Sequence, residues 1–168
     1  MPKIERIKKR HLLKKREQRD MIAQIEKELG FAIDGLDAKS QLEEGTLDDG
    51  SQILLLDGDI VFFQDEGRIF PTLRALLSGL IDIPHVTVDM GAVKFVVNGA
   101  DIMRPGITEI DDRVRKNGIV VVVDETHGKP LAVGISKLSA EDLRAATSGK
   151  VVKSVHHVND DLWVFGKS

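Results

Sequence analysis

Between Lys14 and Leu29 the apolar residues Met21, Ile22, Ile25 and Leu29 recur on one helical stripe, and Gly30 follows where a helix usually closes. The spacing predicts an amphipathic helix with basic first turns. Residues Asp34 to Ser51 are rich in Asp, Glu, Gly and Ser and read as a loop with one short element around Leu42. Two apolar runs, Ile53–Leu56 and Ile60–Phe63, flank Asp57-Gly58, which predicts a hairpin with a type I′ turn. Turn chemistry then accounts for Asp57 without a catalytic role. After a second turn at Gln64–Gly67, Leu73, Leu76, Leu77 and Leu80 recur at helical spacing, with Pro71 in the first turn and the hairpin as the packing surface. Ile81-Asp82-Ile83-Pro84 breaks this helix and marks the predicted boundary between domains 1–83 and 84–168.

Beyond Pro84 the pattern changes to short strands. Val86–Asp89 alternates, Ile119–Val123 is a continuous apolar run suited to a buried strand, and Leu131–Ile135 and Val151–Val158 follow. Leu162–Phe165 reads as a closing strand, with Trp163 in the core rather than offered for stacking. Glu125–Lys129 reads as a hairpin loop. Ser139-Ala140-Glu141-Asp142 has the composition of a helix start, and Gly149 ends that segment. Short strands with one or two small helices predict a compact barrel, so the fold class is α+β: an N-terminal α/β domain followed by a barrel of mostly antiparallel strands.

Composition narrows the function. The chain has 168 residues, 42% hydrophobic and 30% charged, as expected of a folded domain or two. Its longest nearly uncharged stretch, Ile69–Ile81, still contains Arg74 and is too short for a membrane span. The basic start lacks the apolar stretch of a secretory signal, so a cytoplasmic protein is expected. Cysteine is absent, which removes disulfides, thiolate catalysis and cysteine-ligated metals, and no two of the five histidines are three or four residues apart. Neither a metal nor a cofactor is expected.

The net charge of -3 conceals an asymmetry: residues 1–19 carry nine Lys or Arg, Lys3 among them, against Glu5 and Glu17. That leader is locally +7 and the remainder is -10. Lys8, Lys9, Arg10, Lys14, Lys15 and Arg16 thus form a candidate contact for a phosphate backbone or an acidic surface, the alternative being a solvated, partly frayed leader. Basic residues at a helix start oppose the macrodipole, which favours a partner-directed role.

The strings PTLR, VDMGAVKF, GADIMRPGI, SAEDL and NDDLW, in this order between Gln52 and Phe165, resemble the MCT/Tma20 family of translation-associated proteins and its archaeal relatives. In that family a specific N-terminal domain precedes a PUA domain, an RNA-binding pseudobarrel also found on pseudouridine synthases and archaeosine transglycosylases. The resemblance implies an RNA-facing surface from the first PUA helix, the glycine-containing loop and strand after it, and the last strands. Carried onto this chain, it implicates Lys94, Gly99, Ala100, Arg104, Pro105 and Gly106, with Lys153 and His157 from the penultimate strand. Gly91–Val97 can form the helix, ended by Gly99. Gly99 and Gly106 permit positive φ and close approach of amides to phosphate, and Arg104 can hold a phosphate bidentately or read a guanine edge. Fold-defining turns are the competing account of the glycines.

Aromatic residues are 4% of the chain, with no tyrosine, so recognition through backbone and shape is expected over stacking of single strands. The resemblance implies structured RNA, a tRNA acceptor end or small-subunit ribosomal RNA, and an initiation-factor-like protein as a further partner. Catalysis is not expected. About 83 residues precede the barrel, too few for a synthase or transglycosylase domain, and no phosphate loop or nucleophile elbow is present. Asp111-Asp112 reads as part of a solvated turn. An accessory of an RNA-modification system and a protein-binding adaptor remain as alternatives.

Overall fold

The computed structural model describes residues 6–36 and 39–167, which leaves the leader's Lys3 and Glu5 outside the described residues. The chain divides into two compact units, one running to Asp82 and joined by the helix from Asp161, the other comprising Ile83–Asp160.

The first unit is a five-stranded antiparallel meander in chain order: β1 (Ile7–Leu12), β2 (Leu42–Leu47), β3 (Gln52–Leu56), β4 (Asp59–Asp65) and β5 (Arg68–Pro71). Helix α1 (Lys15–Leu29) ends at Gly30 with φ 80°, as its sequence predicts. Its Met21 and Ile25 line a cavity of about 60 Å³ with Leu54 and Phe62 of the sheet. At the β3–β4 turn Asp57 (φ 49°) and Gly58 (φ 90°) both adopt the left-handed conformation a type I′ turn requires.

The fold corrects three expectations. Within the basic leader, Ile7–Leu12 forms the edge strand β1 rather than part of a loose segment, and the short element expected around Leu42 is its partner strand β2, Leu42–Leu47. Isolated, β1 has no period-2 apolar pattern, and the backbone ladder to β2 supplies what its side chains do not. Helix α2 (Leu73–Leu77) is shorter than the leucine spacing predicts. Pro71 ends β5 instead, and Thr72 caps the helix by accepting from the Ala75 amide at 3.2 Å while donating to Ile60 O at 2.8 Å. The closing segment is helix α5 (Asp161–Lys167), not a strand. Asn159 at φ 72° breaks the preceding strand and Asp161 places a carboxylate in the helix's first turn. Trp163 is half-buried beneath the Arg74 guanidinium, 4.7 Å from the ring centre, and its carbonyl accepts from Arg74 Nη2 at 3.2 Å.

The second unit is a curled six-stranded sheet built from β6 (His85–Val88), β7 (Ile102–Met103), β8 (Ile107–Ile110), β9 (Ile119–Asp124), β10 (Pro130–Ser136) and β11 (Lys150–His157), with strand order β7-β11-β10-β9-β6-β8. Only the β6–β9 pair is parallel. Every residue of β9 is buried, which explains its unbroken apolar run. Helices α3 (Met90–Val96) and α4 (Ala140–Ala145) are capped by Asp89 and Ser139, whose side chains accept from Ala92 and Asp142 amides. Val86, Val88, Val96, Ile102, Val120, Val122, Leu143 and Val152 lie at the centre of the core.

Asp111 is not merely solvated. Arg113 donates to it through Nε and Nη2, and the His85 amide donates at 3.2 Å, so its carboxyl is held well below the usual carboxylate range. Asp124 organises the β9–β10 loop by accepting from the amides of His127, Thr126 and Lys129, and these hold its carboxyl low as well.

Candidate nucleic-acid interface

Helix α3, the turn after it and β7 enclose an open groove of about 540 Å³. Ala92, Phe95, Val96, Ile102 and Met103 give it apolar walls, and Ala100, Gly106 and Lys150 complete the rim. Phe95 is 58% exposed and Met103 47%, unusual for large apolar side chains. The groove forms because α3 buries Val96 in the core while Phe95, one residue earlier, falls off the buried stripe. Register brings Lys150 opposite Met103 across the β7–β11 ladder.

Lys94 is exposed, with Nζ 5.1 Å from the Phe95 ring centre. Neither Lys94 nor Lys150 forms an ion pair among the described residues. The acidic group in the groove is Asp101, whose Oδ1 is occupied by the Ser154 amide at 2.9 Å. Elsewhere in this unit Glu109, Asp111, Asp112, Asp124 and Glu125 line a second cleft of about 530 Å³. A cleft of that charge repels phosphate, whereas the α3 groove has Lys150 in its lining and Lys94 beside it.

The sequence-predicted residues separate into those on this face and those serving it from below. Ala100 and Gly106 line the groove, Lys94 flanks it, and Pro105 is exposed in the 3-10 turn Arg104–Gly106. Lys153 is exposed on β11 but does not line the groove. Gly99 has φ 90°, whereas Gly106 does not have positive φ, so only the first needs glycine for its backbone conformation. The expectation that amides near Gly99 meet phosphate is overturned: Gly99 N donates to Val96 O and Ala100 N to Phe95 O, both at 3.0 Å, closing α3.

Arg104 is half-buried, with Nε donating to Leu143 O at 2.7 Å and Nη1 to Ile107 O at 3.2 Å. Two of its five donors are thus engaged, Nε tying the 3-10 turn to α4 and Nη1 bracing the start of β8, so it is not the open phosphate fork the sequence suggested. His157 pairs Nδ1 with Val158 O at 2.8 Å, and its Nε2 lies 2.8 Å from the point a Cβ on Gly99 would occupy. Any side chain at position 99 would strike this ring.

Phe95 and Met103 were not among the residues the sequence singled out. Helical phase held a signal for Phe95, since it leaves the Ala92–Val96 stripe. In the first unit Lys8, Lys9 and Arg10 lie on β1, Lys14 precedes α1, and Lys15 and Arg16 open it. Arg10 is engaged with Glu43 through Nε at 3.1 Å and Nη2 at 2.9 Å.

Residues 84–158 match the PUA domain family and residues 9–78 match a domain of unknown function, DUF1947. The second unit is thus a PUA domain, the class of RNA-binding pseudobarrel that its curled sheet and α3 face define. Malignant T-cell-amplified sequence 1 of Rattus norvegicus is 40% identical over 67% of this chain and 64% of its own length. Translation machinery-associated protein 20 of Schizosaccharomyces pombe is 35% identical over 74% of this chain and 72% of its own. The crystal structure of a hypothetical protein from Pyrococcus horikoshii superposes with a TM-score of 0.77 at 32% identity, covering 94% of this chain and 99% of that one. The chain belongs to the MCT/Tma20 family of translation-associated PUA proteins.

Proposed function

We propose that the protein is a non-catalytic, cytoplasmic RNA-binding factor that grips structured RNA, a tRNA acceptor end or small-subunit ribosomal RNA, through the α3–β7–β11 face. The observation that carries this reading is the open apolar groove in which exposed Phe95 and Met103 stand beside Lys94 and Lys150, cations with no carboxylate partner among the described residues. An unstacked base placed in the groove meets an aromatic face, while the lysines meet the phosphates on either side. A tRNA acceptor end combines a duplex stem with unpaired terminal nucleotides and offers both partners at once. Arg104, Gly99 and His157 serve the site by fixing the backbone that shapes it. An initiation-factor-like protein partner belongs to the same reading.

The test is a filter-binding titration with deacylated tRNA, intact or trimmed of its unpaired 3′ nucleotides. The intact form should bind more tightly, and Lys94→Glu with Lys150→Glu should abolish that preference without unfolding the chain. Equal affinity for the two forms, or full binding by the double variant, refutes the site. A modification assay on bulk tRNA tests the non-catalytic reading, which product formation would overturn.

A further inference from the structure

Arg6 to Arg19 holds eight lysines and arginines and a single carboxylate, Glu17. In the structure only Arg10 and His11 of this segment form ion pairs among the described residues, Arg10 with Glu43 at 2.9 Å and His11 with Glu17 at 3.7 Å. Lys8, Lys9, Lys14, Lys15, Arg16 and Arg19 are exposed and form none. Nor is the segment a floppy tail. β1 is laddered to β2, the Leu13 amide donates to Leu42 O at 2.9 Å, and Gln18 Nε2 donates to Leu13 O at 3.1 Å. Glu17 accepts the Lys14 amide at 3.0 Å, which fixes the junction between β1 and α1. The cations therefore stand on a built frame, Lys8 and Lys9 on the strand, Lys14 at the junction, and Lys15, Arg16 and Arg19 on the helix that follows.

Protection of the sheet edge explains only part of this. A lysine or two on an edge strand is enough to block edge-to-edge pairing. Lys14, Lys15, Arg16 and Arg19 are not on the strand, and they sit at the positive end of α1, where the macrodipole and their mutual repulsion both oppose them. Arrangements that oppose folding in this way mark functional surfaces.

We propose that this β1–α1 face is a second RNA contact, engaging the phosphate backbone of a duplex stem. β1 alone spans about 20 Å at the usual rise per residue, room for several phosphates. The face lacks the apolar centre that protein interfaces are built around, Leu12 being its only large exposed apolar side chain among the described residues. A polyanion that needs no apolar anchor fits it better than an acidic protein does. The inference rests on RNA binding by the PUA unit, to which it adds affinity without sequence preference.

The test neutralises the face in the full chain, as Lys8→Gln, Lys9→Gln, Lys15→Gln and Arg16→Gln together, and follows deacylated tRNA binding across potassium chloride concentrations. Affinity at low salt should fall about tenfold or more, and the log–log salt slope should become shallower by about 0.9 for each phosphate that the variant no longer neutralises. Unchanged affinity and slope, alongside weakened binding and a lost preference for intact tRNA in Lys94→Glu with Lys150→Glu, would overturn this inference and leave the PUA reading standing. Full binding by both variants, or no binding by the unaltered chain, would overturn both. If the quadruple variant melts early, Lys15→Gln with Arg16→Gln on the helix surface decides alone, with a smaller shift in the same direction. Polyglutamate that outcompetes tRNA for these four residues would show an acidic protein to be the partner and sink the proposal.

Discussion

Phe95→Ala tests the groove at a side chain that is more exposed than buried. The side chain is 58% exposed, so truncating it removes little of the core packing. A fully buried phenylalanine such as Phe63, at 2% exposure, costs about 3–5 kcal/mol when cut to alanine. At Phe95 less than half of that burial exists to lose, about 1–2 kcal/mol, and the exposed interaction with Lys94 adds about 0.5 kcal/mol. Loss of a stacked base, by contrast, costs about 1–3 kcal/mol of binding, or roughly 5- to 150-fold in affinity. The assay pairs thermal denaturation with titration of deacylated tRNA, using Phe95→Leu to keep apolar bulk without a ring face. Phe95→Ala should remain folded and bind at least about fivefold more weakly, with Phe95→Leu recovering only part of the loss. A folded Phe95→Ala variant that binds tRNA within about twofold of the unaltered chain refutes the stacking role, since the groove would then work without its ring.

Arg104→Gln should lower the melting temperature, because the carbonyls of Leu143 and Ile107 lose charged donors, at about 1–3 kcal/mol; an affinity loss with no change in melting would instead mark Arg104 as a direct contact. Gly99→Ala meets both a φ of 90° and the His157 ring at 2.8 Å, so destabilisation of about 1 kcal/mol or more is expected on denaturant melting, relieved in part by adding His157→Ala. Asp111 and Asp124 titrate below the ordinary carboxylate value in the folded state, so the stability they provide is full above about pH 4 and is lost as the pH falls toward their lowered values. Asp111→Asn should accordingly melt earlier at neutral pH and show a flatter acid limb, whereas a parallel pH profile would contradict the Arg113 and His85 hydrogen bonds as the cause.

The elements legible in the sequence are those whose signals are local. Asp57-Gly58 specifies its turn because both residues adopt positive φ there, and Gly30 and Ser139 end or begin helices through their own backbone or side chain. The motif strings from Pro71 to Trp163 identified the family and the PUA half, and led to Lys94, Ala100 and Gly106 at the groove. What the strings did not convey was which side chains would be left uncovered. Phe95 and Met103 read as ordinary apolar residues until α3 and β7 are packed, and a low aromatic content argued against stacking when one exposed ring is enough to allow it.

Pattern and spacing by themselves determined the α+β class, the β3–β4 hairpin, α1 and the strand-rich second half, since each follows from periodicity or turn chemistry over a few residues. Only the tertiary structure made Ile7–Leu12 a strand, because its stability comes from a ladder to the distant strand β2. Only the tertiary structure turned Arg104 from an expected phosphate fork into a tie, because the carbonyl it holds belongs to Leu143, remote in the chain. Hydrogen bonds and burial between remote segments depend on three-dimensional closure, and a one-dimensional pattern carries the preference of each residue without the identity of its neighbour.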